Sequence, residues 1–507
     1  MTIARGGAPL NIANGIREFA IASPAATAVV DGARSLTYAA LDERARRLGN
    51  VLLQAGLKPG ERVAVLLGNR LEYPEIAAGI ARVGMQMVPV NPRLTAPEVS
   101  YIIGHAETRA TILDDALSGI AAPALKEHQQ ALVVAIDGTE LGADYEAAIE
   151  AAPASDAGIS VAETDPFCVA YTSGTTGKPK GVMISHRSRS LTFYGTALEW
   201  GLGPGRRTIA VAPMYHGAGF AFGFGALHVG GELHMLRAFD PELLLKMIQD
   251  SRSQSVFLVP THAQMMRALG DDVVGRYDVS ALETLYFNAA AMPHPLKEWV
   301  VERFPGIGLH ELYGSTEAGI VTNCRPADIL RKPGSVGPPW FMTEIRVVDG
   351  DGNPVEAGGT GELYSRSPFL MNGYLKDSEA TAACTTPDGF LTSGDVVRID
   401  EDNFVFIVDR TKDMIISGGV NIYPREVEDV LFTHPAVRDV AVVGLPDERW
   451  GEQVVAFVVG DGLTNGELDT HARASLAGFK LPKRYEIVEA LPRNAAGKIL
   501  KRELRSR

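Results

Sequence analysis

The 507-residue sequence contains only three cysteines, Cys168, Cys324 and Cys384. They lie too far apart for zinc or redox spacing, which excludes a disulfide scaffold and fits a reducing, cytoplasmic setting. Positive charge is also short, with 48 Lys and Arg against 61 Asp and Glu, a net of −13. An overall basic footprint for nucleic acid is therefore absent. Long apolar runs are missing too. The N-terminal stretch MTIARGGAPLNIANGIREFA lacks the continuous apolar core of a signal peptide. Thr208–Gly231 carries no Asp, Glu, Lys or Arg, but six glycines, Pro213, His216 and His228 interrupt it. It reads as a buried, glycine-rich loop region and not as a transmembrane segment.

What is present is ordinary globular composition, 46% apolar and 21% charged, in a chain long enough for roughly three domains at ~150 residues each. Fifty-three glycines imply many tight turns or close backbone approaches. The first 115 residues alternate helix and buried-strand patterns. Thr37 is placed to cap a helix with Leu41, Ala45, Leu48 and Leu52 on one face. Val63–Leu67 reads as a strand covered on both sides, and Tyr73, Ile76, Ala77, Ile80 and Val83 mark a second helix. Thr95-Ala-Pro-Glu98 has the spacing of a capping box. This grammar predicts layered α/β with largely parallel sheet, and it returns over 166–322. From Gly334 to Asp409, short strands separated by Asp-Gly and Asn-Gly turns (Asn372-Gly373 among them) predict a small β-subdomain. The pattern changes again after Asp409, so the expected organisation is a large N-terminal domain, 1–409, a boundary at 410–412 and a small α+β domain, 413–507.

The strongest chemical signal is Tyr171-Thr-Ser-Gly-Thr-Thr-Gly-Lys-Pro-Lys-Gly181. Small residues expose backbone N–H groups, hydroxyls add donors and two lysines add charge, which together suit a polyphosphate. It is not a Walker A loop: two residues separate Gly174 from Gly177, and Pro179 follows Lys178. Four further segments follow in order: Ala212-Pro-Met-Tyr-His-Gly217, Leu312-Tyr-Gly-Ser-Thr-Glu-Ala-Gly319, Thr392-Ser-Gly-Asp395 with Asp409-Arg410, and Pro492-Arg-Asn-Ala-Ala-Gly-Lys498.

These five segments resemble the signatures of the adenylate-forming superfamily, which includes acyl-CoA synthetases, 4-coumarate-CoA ligases, luciferases and peptide-synthetase adenylation domains. The resemblance implies that ATP, Mg²⁺ and CoA are used. Thr172, Ser173, Gly174, Thr175, Thr176, Gly177 and Lys180 would hold the β- and γ-phosphates. Tyr313 would stack on adenine beside Asn288, Ala289 and Ala290. Thr316 would bond the α-phosphate, while Glu317, with Thr176, would hold Mg²⁺, a hard cation suited to oxygen ligands. Asp395, with Arg410 nearby, would bind the ribose, and Asn421 would stand where relatives often carry Gln. Lys498 would steady the charge that builds as a carboxylate attacks the α-phosphate. Gly418 and Gly419 would line the pantetheine tunnel, Lys412 would be the hinge, and His216 would sit beside the acyl carboxylate.

Gly217, Ala218, Gly219, Ile320 and Val321 would line the acyl pocket. They are small or apolar. No acid stands in Ala212–Gly217 to meet an α-ammonium, which argues against amino acids, and no Arg or Lys among these positions favours a dicarboxylate. A medium or long fatty acid and an aryl or arylalkenoic acid both remain open. The implied activity is a carboxylate–CoA ligase that releases AMP and pyrophosphate. The alternatives are a ligase that loads a separate carrier protein, a luciferase-like oxygenase and, outside enzymes, a nucleotide sensor. A homodimer is compatible with the sequence and not required by it.

Overall fold

The computed structural model describes residues 9–172, 178–410, 413–417, 420–493 and 499–506. The chain divides into two compact units, 1–344 with 365–391, and 345–364 with 392–507. The boundary expected at 410–412 falls within the second unit's stretch of chain, and residues 411 and 412 lie outside the described set.

The first unit holds two eight-stranded sheets. One runs in the order Gly373–Tyr374, Lys180–Ser185, Pro166–Thr172, Gln86–Val90, Arg62–Leu66, Thr108–Asp114, Leu132–Ile136, Ala143–Asp144. It is parallel from Pro166–Thr172 onward, and the first two strands are antiparallel additions. Strand Arg62–Leu66 shows why the sheet is layered. Val63 and Val65 pack into one core cluster while Ala64 and Leu66 pack into another, so both faces are covered. The second sheet places strand Gly308–Ser315 near one edge, with Gly319–Cys324 antiparallel beside it.

Local signals explain the helices between these strands. The Thr37 hydroxyl accepts the Ala40 N–H at 3.2 Å, starting helix Tyr38–Gln54, whose Leu41, Ala45, Leu48 and Leu52 are fully buried. Each such leucine contributes about 1.5–3 kcal/mol of burial. The Thr95–Glu98 capping box forms as its spacing predicts. Thr208–Gly231 differs from the expected loop. It contains strand Arg207–Ala210 and a twelve-residue helix, Gly217–His228, in spite of four glycines within the helix. Each glycine costs about 0.5–1 kcal/mol against alanine in a helix, but burial on all sides offsets it. Two of them are sterically required: a Cβ on Gly219 would lie 2.1 Å from the Pro213 carbonyl oxygen, and one on Gly225 would lie 2.9 Å from the Phe193 ring.

The second unit carries a meander of Glu344–Val348, Thr360–Arg366, Leu391–Ile399 and Val405–Arg410. Its C-terminal part pairs Val437–Asp447 with Gly451–Gly460 and flanks them with helices Pro424–Phe432, Asn465–Arg473 and Lys501–Arg505. Among the described residues, no helix is long and apolar enough to cross a membrane.

Two buried histidines fasten the N-terminal segment. The Ile12 N–H donates to His186 Nδ1 at 3.4 Å, and the Ile12 carbonyl pairs with His228 Nδ1 at 2.8 Å. Burial depresses both imidazoles, as it does His216, to about 4. The unfolded chain, titrating near 6.5, binds more protons below that pH. Stability therefore rises with pH through the window from about 4 to 6.5, and is lost on acidification by up to about 1.4 kcal/mol per pH unit per histidine. The urea midpoint should fall between pH 7 and pH 5. A midpoint constant over that interval would show that these rings are not held neutral.

Candidate functional site

The phosphate-loop motif leaves strand Pro166–Thr172 and returns as Lys180–Ser185, with Thr172 paired to Lys180 across the antiparallel ladder. Ser173, Gly174, Thr175, Thr176 and Gly177 lie outside the described residues. The loop's flanks are fastened to helix Ala96–Ala106. The Tyr101 hydroxyl donates to the Pro179 carbonyl at 3.0 Å, and the Tyr171 hydroxyl meets His105 Nδ1 at 2.7 Å.

Thr316 and Glu317 sit on the turn between strands Gly308–Ser315 and Gly319–Cys324. Gly319 closes it at φ +71°, where a Cβ would also strike Phe369 at 2.6 Å. The Glu317 carbonyl accepts the Met371 N–H at 2.8 Å, and its carboxylate accepts the Tyr374 hydroxyl at 3.0 Å. Lys180 Nζ lies 5.0 Å over the Tyr374 ring and 3.5 Å from Asp377. Tyr374 thus gathers the lysine of the phosphate loop and the carboxylate of the turn. Burial first, and the Glu317 charge second, push its phenol up, so it remains a donor. Sequence reasoning missed Tyr374 and Asp377; the one signal was the neighbouring Asn372-Gly373 turn.

His216 precedes helix Gly217–His228, and its ring packs 4.6 Å from that of Tyr215. Burial, aided by Arg93, lowers the imidazole to about 4, so it is neutral at pH 7. A Cβ on Gly217 would lie 4.0 Å from Thr316 Oγ1, which puts the helix start beside the turn. Buried Asn69, also missed from sequence, holds the approach to His216. Its carbonyl accepts the Met214 N–H at 2.8 Å, and its amide donates to Ala210 and Leu236 carbonyls at 2.9 and 3.2 Å.

Gly217, Ala218, Ile320 and Val321 border an aromatic wall. Ala218, Ala212, Leu312 and Ile320 pack in one cluster with Trp200, Phe222, Phe257, Tyr286, Trp340 and Phe369. Trp200 stacks on Tyr286 at 4.6 Å and 4°, and Phe222 meets both rings edge-on. The Trp340 backbone N–H donates to the Val321 carbonyl at 2.9 Å, which brings residue 340 alongside the strand that carries Ile320 and Val321. The space bounded by Ala212, Gly219, Phe222, Gly223, Phe257 and Tyr286 is about 10 Å³, the size of one water. That leaves no room there for a chain.

Asn288, Ala289 and Ala290 follow strand Thr284–Phe287, two strands from the half-buried Tyr313's edge partner. In the second unit, Asp395 is buried and registers opposite Arg410. Strands Ile415–Ser417 and Val420–Ile422 bracket Gly418 and Gly419, which lie outside the described residues, as do Lys412, Lys498 and the side chains of Arg410 and Asn421. The Arg493–Ile499 bridge brackets the Lys498 segment. Among the described residues, no three His, Cys, Asp or Glu side chains could form a metal cage. One carboxylate, Glu317, nevertheless suits Mg²⁺, which keeps waters and binds through one or two carboxylates plus substrate phosphates.

Residues 16–375 match the family model described as AMP-binding enzyme, and 426–498 match the AMP-binding enzyme C-terminal domain. The chain is 38% identical to a feruloyl-CoA synthase of Amycolatopsis sp over 497 residues, 96% of each protein. It is 36% identical to the fatty acid–[acyl-carrier-protein] ligase ScoC of Streptomyces coeruleorubidus, covering 96% of this chain and 94% of that one. Its fold is similar to that of the anthranilate CoA ligase AuaEII in complex with anthranoyl-AMP, with a TM-score of 0.90 and 26% identity over 100% and 98% of the two chains.

The Asn69 clasp makes a direct prediction. Asn69→Ala removes the acceptor of the Met214 N–H and the amide donor shared by the Ala210, Ala212 and Leu236 carbonyls, and should destabilise by about 1–3 kcal/mol. The thermal midpoint checks this, and an unchanged midpoint would mean that the Met214 segment is held by other contacts.

Proposed function

The chain belongs to the AMP-binding enzyme family and is an ATP-dependent, AMP-forming acid–CoA ligase, and from that premise we propose that its acid is an aryl or arylalkenoic acid. The observation that supports this choice is the aromatic cluster of Trp200, Phe222, Tyr286 and Trp340 packed behind Ala218 and Ile320, two of the positions expected to meet the acid. These buried rings close off depth behind the two positions, so a short, flat acid suits the space better than a long alkyl chain.

The residues then take these parts. Thr172 and Lys180, with Ser173, Gly174, Thr175, Thr176 and Gly177, hold the β- and γ-phosphates. Thr316 bonds the α-phosphate, and Glu317, oriented by the Tyr374 hydroxyl, holds Mg²⁺ together with Thr176. Tyr313 and Asn288, Ala289 and Ala290 bracket adenine, while Asp395 and Arg410 take the ribose and Asn421 contacts the adenylate. Neutral His216 offers a hydrogen bond beside the acid's carboxylate without a fixed charge. The carboxylate oxygen attacks the α-phosphorus and the bond to pyrophosphate breaks; Lys498 balances the developing charge. In the second step, a thiol guided past Gly418 and Gly419 loses its proton, its sulfur bonds the acyl carbon, and the bond to AMP breaks. Rotation about Lys412 exchanges the two configurations.

Incubation with ATP, CoA and a panel of aryl and aliphatic acids, reading AMP and thioester together, tests the reading. Cinnamate- or benzoate-type acids should exceed long-chain fatty acids by at least about 10²-fold in kcat/KM, and the reverse order would overturn the proposal. AMP formation that needs a carrier protein and gives no acyl-CoA would instead match the activity in ScoC's name. Trp340→Ala should open the recess and raise turnover of aliphatic acids relative to aryl ones. Lys498→Ala should slow adenylation by about 10²–10³-fold and spare thioester formation from supplied acyl-adenylate. Equal loss in both half-reactions would remove Lys498 from its assigned step.

A further inference from the structure

Lys297 and Glu311 form a buried ion pair outside every motif discussed above. Their side chains are 1% and 3% exposed. Lys297 comes from helix His294–Arg303, whose Leu296 and Val300 pack in the same core cluster as Met292 and Phe304. Glu311 lies on strand Gly308–Ser315, two residues before Tyr313, so the two side chains share a face of the strand. The carboxylate has a second task. Glu311 Oε1 accepts the Met292 N–H at 2.9 Å.

That hydrogen bond falls at the end of an irregular segment. Ala289 holds φ +76°, a left-handed value that costs a non-glycine residue about 1–2 kcal/mol. Its N–H donates to Asn288 Oδ1 at 2.6 Å, so the segment starts with a strained turn and ends pinned to Glu311. A buried pair of this kind is weak evidence for stability, because well-packed apolar residues of the same volume do as well or better. Its use lies elsewhere. Lys297 Nζ meets Glu311 Oε2 while Oε1 accepts the Met292 N–H, so the ammonium holds the carboxylate turned toward that N–H. Cys324, registered opposite Glu311, adds no competing anion, since burial pushes its thiol up to about 12.

We propose that Lys297 is a positioning residue for nucleotide binding: through the Glu311 carboxylate it fixes the Asn288–Met292 segment against the strand that carries Tyr313. This rests on the reading that adenine lies between that segment and Tyr313. Lys297 itself touches no substrate. It sets the spacing of the two elements that do.

The test uses the full-length protein and two readouts, AMP binding by calorimetry and the steady-state constants for ATP and acid. Lys297→Met keeps side-chain volume but strands the carboxylate. It should weaken AMP binding and raise the KM for ATP by about tenfold or more, with the KM for acid within about twofold. Adding Glu311→Gln removes the stranded charge and keeps a carbonyl acceptor for the Met292 N–H, so the double variant should return to within about threefold of wild type. A purely structural role would lower all constants together, without that selective recovery. Unchanged AMP affinity in Lys297→Met, or no recovery in the double variant, would overturn the inference. If Lys297→Met does not fold, Lys297→Arg and the double variant carry the comparison, and loss of AMP affinity in both would overturn it equally. A wild-type protein that binds no AMP would instead overturn the functional reading beneath it.

Discussion

The first unit depends on one seam, the segment 369–374 that joins the edges of its two sheets. The Phe369 carbonyl accepts the Ser188 hydroxyl, Met371 donates its N–H to Glu317, Asn372 donates its N–H to Met183, and Tyr374 reaches Glu317 while pairing with Val182. Strand Lys180–Ser185 belongs to one sheet and the Glu317 turn to the edge of the other. Without the seam, the lysine of the phosphate loop and the carboxylate of the turn would sit on independent scaffolds. A few backbone and side-chain hydrogen bonds therefore do what a metal or disulfide does in a smaller protein: they hold Lys180 and Glu317 on one framework.

Around the seam, charge is segregated. Lys180, Asp377 and Glu317 converge on Tyr374, and the side facing the aromatic wall is composed of alanine, glycine, isoleucine and rings. His216 stands at the border and is neutral at pH 7 because burial disfavours its cation. Apolar packing next to these polar groups strengthens the electrostatics at the border, since low dielectric magnifies each fixed charge and dipole.

The motif residues were legible from sequence because each depends on local spacing: hydroxyls and lysines around glycines, an acid after a threonine, a capping threonine three residues before a glutamate. The folded layers were legible for the same reason, since buried strands and amphipathic helices announce themselves by period. Asn69, Tyr374 and Lys297 were not. Asn69 and Tyr374 act across 145 and 57 residues of chain, on Met214 and Glu317, and Lys297 meets Glu311 only where helix and strand pack together. The helix at Gly217–His228 was hidden because local propensity argued against it, and only burial on every side outweighs four glycines. The wall was hidden because Trp200, Tyr286 and Trp340 are unremarkable aromatics until the strands stack them.

The four glycines of that helix have unequal freedom. Gly219 and Gly225 are locked, because an added methyl would collide with a backbone carbonyl or a buried ring. Gly217 and Gly223 are not: a methyl there would meet Thr316, Met214 and Ala210 at 3.6 to 4.0 Å, ordinary contact distances. The helix thus carries two positions that accept an added methyl, one beside Thr316 and one against Met214 and Ala210, so its packing is pinned at two glycines and slack at the other two.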